Sequence, residues 1–201
     1  QGGSRVGEIP LFALCAGIAF GINCLAFIPA YHYQTERYFD LMGSITYIIL
    51  ISTALALGEE IGARDFLLAS MIAIWAFRLG PFLFARITRD GSDGRFDKIK
   101  IYPAFFAMVW TLQGLWTLLT AACALAALTS PSGPPLGAFA FAGLGLWILG
   151  FSIEVIADKQ KQAFRARPEN QGRYITSGLW AWSRHPNYFG EITLWVGVAL
   201  V

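Results

Sequence analysis

Five apolar stretches, each long enough to cross a bilayer, constrain this chain more than any other feature. They fall at about residues 9–30, 38–58, 66–87, 101–128 and 138–157, and a sixth opens near 187 and is still running at Val201. About 20 apolar residues in a helix cross the hydrocarbon core. Lipid offers no water to exposed N–H and C=O groups, so these runs are expected as helices, which pair those groups internally. Composition agrees. The chain is 56% hydrophobic and 14% charged, where soluble domains carry about 25% charge. The expectation is an all-α membrane protein, a bundle of about six transmembrane helices in a single domain over residues 1–201. The run at 9–30 is too long for a signal peptide, whose apolar core is about 7–15 residues. The chain starts at Gln1, not Met, and Val201 stands inside an apolar run. That leads us to expect a longer protein, with the sixth helix incomplete and a seventh beyond it.

Charge orients the helices. Loops alternate between two sides. One side carries twelve basic residues: Arg37, then Arg86, Arg89, Arg95, Lys98 and Lys100, then Lys159, Lys161, Arg165, Arg167, Arg173 and Arg184. The other carries only Arg5 and Arg64, and Arg78 lies within a helix. By the positive-inside rule the basic loops are cytosolic, or face the matrix or stroma, and the N-terminus is on the opposite side. The net charge of +2 leaves no electrostatic footprint for a nucleic-acid partner. The expected partners are membrane lipid, an apolar small-molecule substrate and the subunits of a membrane complex.

Polar residues in membrane helices are costly and often functional. Glu154, Asp158, Lys161 or Gln162, and Arg165 recur every three to four residues, which makes one polar stripe at the end of the fifth helix. Two carboxylates and an arginine can hold ribose hydroxyls, amides and a phosphate. An ordinary helix end reaching for water has the same pattern. The run Ser183-Arg-His-Pro-Asn-Tyr-Phe-Gly-Glu191 opens directly into an apolar helix. Pro186 suits the first helical turn and disfavours the helical region for His185. A helix N-terminus flanked by Arg184 and His185 suits an anion, and Asn187 and Glu191 share a face one turn apart. A basic interfacial loop capping a helix accounts for the run equally well.

Other signals carry less. Cys15, Cys24 and Cys123 have neither metal-ligand nor disulfide spacing, so no metal site is expected. The segment from Thr88 to Asp97 is no calcium loop, because the twelfth position from Asp90 is Ile101 rather than glutamate. Gly143, Gly145 and Gly150 follow no strand and so form no dinucleotide loop; they read as small residues for helix packing. His32, between Tyr31 and Tyr33, reads as part of an interfacial belt.

The run from Gly178 through Leu-Trp-Ala-Trp-Ser-Arg-His-Pro-Asn-Tyr-Phe-Gly to Glu191 closely resembles the C-terminal signature of a membrane family related to the steroid 5-alpha reductases. Ala157-Asp-Lys-Gln-Lys161 with Phe164 and Arg165, Ala76-Phe-Arg-Leu-Gly80, and Gly91-Ser-Asp-Gly-Arg-Phe96 look like further motifs of that family, so the resemblance runs from about Asp40 to the end. It implies a reductase fed by NADPH, with hydride transfer to the β-carbon of an enone and an acid polarising the carbonyl oxygen. It also implies a cofactor-binding half at 150–201. Glu154, Asp158, Arg165, Asn187, Tyr188 and Glu191 fall at cofactor-lining positions, and Arg184 and His185 lie beside them. Arg78 and Glu191 are expected at the catalytic centre.

The sequence departs from the steroid reductases at three places. Their acid is a tyrosine three residues before an arginine, and here Trp75 precedes Arg78; Asp40 is the candidate replacement. Their asparagine is here Glu154. Their further cofactor contacts lie in a helix after the position of Val201. Two other readings stay open. One is an S-adenosylmethionine-dependent methyltransferase similar to the isoprenylcysteine carboxyl methyltransferases. These share an Arg-His-Pro-x-Tyr-x-Gly core but usually have Gly-Pro-Tyr where this chain has Gly178-Leu-Trp180, and they lack the Asp-x-Gln-Lys stripe. The other is an inactive, reductase-derived structural subunit of a membrane complex.

Overall fold

The computed structural model describes residues 3–131, 133 and 135–201. Six helices account for most of it: α1 (Leu11–His32), α2 (Phe39–Leu57), α3 (Ala63–Asp90), α4 (Pro103–Leu128), α5 (Ala138–Arg165) and α6 (Pro186–Leu200). The first five are long and apolar enough to cross a membrane. The fold is all-α, and these helices make the chain a multi-pass integral membrane protein. A two-residue antiparallel pair, β1 (Arg5–Val6) with β2 (Ile9–Pro10), precedes α1. The helices fall into two compact units, residues 1–135 with α1 to α4 and residues 136–201 with α5 and α6.

Several ends differ from the apolar runs, for local reasons. Helix α1 starts at Leu11 because Ile9 and Pro10 are paired with β1. It continues to His32, so Tyr31 and His32 belong to its last turn rather than to a loop. Helix α3 begins where Gly62 N–H donates to Asp65 Oδ2 at 2.8 Å, which caps its first turn. It runs on through Arg86 and Arg89 and stops at Gly91, whose φ of 87° a side chain would resist. Helix α5 extends through Lys159, Lys161 and Arg165. These cations stand on helix ends, where their long stems reach water from an apolar segment.

In the first unit, small and polar residues set the helix contacts. Lipid is as apolar as leucine, so close approach and hydrogen bonds between helices replace hydrophobic drive. Gly114 of α4 lies against α1: a Cβ there would be 3.1 Å from the Ala19 carbonyl oxygen. Gly80 of α3 lies against Ser44 of α2. Asn23 is wholly buried on α1. Its amide donates to Ala19 O at 2.8 Å and reaches Thr46 Oγ1 of α2 at 3.3 Å. At one end of the unit Phe96, Phe106 and Trp110 pack with Ala30 as an aromatic core, joined by Phe27, Tyr31 and Phe39. Phe96 comes from the α3–α4 connection, so that segment is folded into the unit.

A buried carboxylate holds the connection in place. Glu36 Oε1 accepts from the Asp93 backbone N–H at 2.9 Å, and Oε2 accepts from Lys100 Nζ at 3.1 Å. Lys100 also reaches Asp97 at 3.2 Å. Burial pulls the Lys100 pKa down, but hydrogen bonds to Glu36 and Asp97 outweigh it and hold the pKa above the usual lysine value. The Arg95 guanidinium hydrogen-bonds Asp93 and holds its carboxyl below the usual range.

Candidate functional site

The second unit is an antiparallel helix pair closed by glycines. Its register follows from four of them. Gly143 lies against Gly197, and Gly150 against Gly190. That register carries Glu154 alongside the first turn of α6; a Cβ on Gly190 would be 2.6 Å from the Glu154 backbone nitrogen. Glu154, Ala157 and Asp158 are buried on α5, and Pro186 and Gly190 on α6. The side chains of Asp158 on α5 and Glu191 on α6 are neighbours across this pair. Glu154 and Asp158 both have partners within the fold.

The segment between the helices folds back onto α5. Trp180 Nε1 donates to the Ala157 carbonyl at 3.0 Å, and the Leu179 backbone N–H donates to Gln160 Oε1 at 2.9 Å. Lys161 Nζ sits 4.9 Å above the Trp180 ring, within cation–π range. Gly178 permits this turn. Its φ is 62°, and a side chain there would run into Gln160. At the C-terminus of α5, Asn170 Nδ2 donates to Phe164 O at 2.9 Å.

Helix α6 begins with Pro186 in its first turn, where a missing N–H costs nothing. The His185 backbone N–H donates to Ser183 Oγ at 3.1 Å, and its ring stacks on Tyr188 with centroids 5.3 Å apart. Arg184, His185 and Tyr188 are exposed. One atom stands out in this turn. Asn187 Oδ1 is shut off from solvent and accepts no hydrogen bond among the described residues. Leaving a buried acceptor unsatisfied costs about 1–3 kcal/mol.

Of the residues singled out in the sequence, the structure gathers Glu154, Asp158, Asn187 and Glu191 around the start of α6. Arg165 is exposed at the end of α5. Asp40 and Arg78 belong to the first unit. Asp40 pairs with Arg86 at 3.7 Å, and the Arg78 guanidinium lies 5.0 Å over the Phe82 ring. Trp75 is buried edge-on against Tyr47, their ring centroids 5.1 Å apart. Sequence reasoning did not single out Tyr47, and it named Gln160 and Trp180 only within motifs, without their anchoring contacts. Only Trp180 had a signal, an indole inside a polar connecting run. No group of histidine, cysteine, aspartate or glutamate among the described residues could hold a metal ion.

A family model described as "Protein of unknown function (DUF1295)" matches residues 26–201. The chain belongs to the DUF1295 family. The DUF1295 match takes in the last two turns of α1 and all of α2 to α6, so it reaches both units and every candidate residue above. The chain is also 25% identical to the uncharacterized protein C594.04c of Schizosaccharomyces pombe, over 72% of this chain and 50% of that protein. This DUF1295 chain thus spans about half the length of the curated relative it matches. No solved structure matches it.

Proposed function

We propose that this DUF1295 chain is a membrane-embedded, NADPH-dependent reductase of a C=C bond in an enone or sterol-like lipid. The observation that carries this reading is the buried, unsatisfied Asn187 Oδ1, in a run that resembles the cofactor end of the steroid 5-alpha reductases. A carboxamide N–H, such as a nicotinamide presents, is the donor that oxygen lacks. Glu154 and Asp158 suit ribose hydroxyls, which donate to carboxylates. Arg165 and Arg184, with the α6 N-terminus and His185, suit phosphates.

Bound NADPH would supply the hydride. The chain's own part is to orient the reactants, exclude water and manage a proton. As hydride adds at the β-carbon of the enone, its carbonyl oxygen gains negative charge, and a nearby acid stabilises that charge. In this reading Glu191 in its acid form has that role, because Asp40 is engaged by Arg86. By the positive-inside rule the basic loops face the cytosol, matrix or stroma, where the cofactor would be met.

Trp75 favours a second reading, a structural subunit without activity. It stands where the steroid 5-alpha reductases have their tyrosine and is packed against Tyr47, and an indole is no practical acid. Mass spectrometry of the purified protein after denaturation separates the readings. Retained NADPH supports the reductase, S-adenosylmethionine a methyltransferase, and neither the subunit. Glu191→Leu extends the test. In a reductase it abolishes turnover while expression persists, and in a subunit it is neutral or stabilising, as apolar replacement of buried polar groups often is.

A further inference from the structure

Within the first unit, α1 and α2 line an open cavity of about 910 Å³ with two unlike ends. Its body is apolar and includes Ile22, Leu25, Ala26, Ile45 and Ile49. Its rim is polar, built from Tyr33, Thr35, Glu36, Arg37 and Tyr38 in the α1–α2 connection. Pockets that bury a small molecule run to about 300–1,000 Å³, so this one has room for a hydrocarbon chain with its polar end at the rim. The rim charges differ in availability. Glu36 is saturated by Lys100 and by the Asp93 N–H. Arg37 is exposed, and its guanidinium has no acidic partner among the described residues; only its backbone N–H bonds, to Thr35 Oγ1. Tyr33 and Tyr38, 73% and 50% exposed, flank it as interfacial aromatics do.

We propose that this cavity is a binding site for an anionic phospholipid, with one acyl chain between α1 and α2 and the phosphate on Arg37. The free cation makes the rim complementary to an anionic head, and guanidinium matches phosphate with paired N–H donors. Neutralising Glu36 within the fold removes the one charge at the rim that would repel such a head. The site does not depend on what the α5–α6 unit binds.

The test is native mass spectrometry of protein released from nanodiscs of phosphatidylglycerol and phosphatidylcholine in equal amounts. The wild type retains phosphatidylglycerol in preference. Arg37→Ala lowers that preference about fivefold, the factor one cation contributes near an anionic surface, and Arg37→Lys keeps part of it. Ile45→Trp fills the apolar body from a residue that is 37% exposed. It expels the lipid with Arg37 intact, and its melting temperature reports that the protein is folded. Equal retention of the two lipids by the wild type, or an unchanged preference in Arg37→Ala, overturns the proposal. So does full retention in a folded Ile45→Trp protein.

Discussion

Gly150 on α5 and Gly190 on α6 meet backbone to backbone: a Cβ on Gly150 would stand 2.5 Å from the Gly190 carbonyl oxygen, and one on Gly190 2.6 Å from that of Gly150. Seven residues along each helix, Gly143 and Gly197 repeat the contact. Seven residues are two helical turns, so each helix carries both glycines on one stripe. Van der Waals contact along such a stripe is what holds helices together in lipid.

Gly150→Ala is therefore expected to destabilise the second unit by about 1–3 kcal/mol, the range for overpacking. Gly145 has nothing within 4 Å of its Cβ position. Gly145→Ala should be neutral or stabilising by up to about 1 kcal/mol, from helix propensity. Denaturant unfolding in detergent, followed by helical circular dichroism, measures both. An equal loss in the two variants would remove the glycine stripe as the cause.

Asn187→Ala removes the unsatisfied oxygen. If that oxygen accepts from a cofactor amide, NADPH affinity falls by about 0.5–1.5 kcal/mol, the worth of a neutral hydrogen bond, and the apo protein becomes slightly more stable. Isothermal titration and thermal melting read these separately. An unchanged affinity would take Asn187 out of the binding site.

Glu36→Ala cuts the α3–α4 connection loose from its anchor. The cost is expected to be about 1–3 kcal/mol, that of leaving buried donors unmet, because Lys100 keeps Asp97 as a partner. Glu36→Gln retains an acceptor for the Asp93 N–H and should lose less. Urea unfolding of the two variants checks the order.

The same connection has a pH window. Lys100 is held above its usual pKa, so its contribution is complete below about pH 10.4 and fades as the pH rises through the elevated value. Asp93 is held below its usual pKa, so its contribution is complete above about pH 3.9 and fades as the pH falls through the depressed one. Hydrogen exchange of the Asp93 amide, whose acceptor is Glu36, should show strong protection between these limits once intrinsic exchange is corrected for. Uniform protection across the range would detach the ion pairs from the loop's stability.

Orientation is tested by single cysteines at Ser130 and Ser177, in a background lacking the native thiols. The basic asymmetry predicts that Ser177→Cys is labelled from the cytosolic side and Ser130→Cys from the other. The reverse pattern would invert the topology.

The six helices were legible because apolar runs of membrane length leave few alternatives in lipid. Their ends were not, because a cation such as Arg89 reads as loop while its stem lets the helix continue. The role of small residues in packing was legible at Gly143 and Gly150, but not which ones pack: Gly145 has the same sequence context and touches nothing. The anchor at Glu36 was invisible, since its partners are 57 and 64 residues away in sequence and nothing local marks them. The polar stripe on α5 was legible from its spacing. Its register against Asn187 and Glu191 was not, because that depends on which glycines of two helices meet.

The paired glycines also limit how the second unit can move. Switching proteins often slide one helix past another by a turn, about 5.4 Å. Here such a slide would drive Leu194 or Trp147 into a gap that admits no side chain at all. Helices α5 and α6 are thus locked along their common axis like meshed teeth. Rearrangement within this unit has to come from bending, from rotamer changes at Glu191 and Asn187, or from the Trp180 turn lifting off α5.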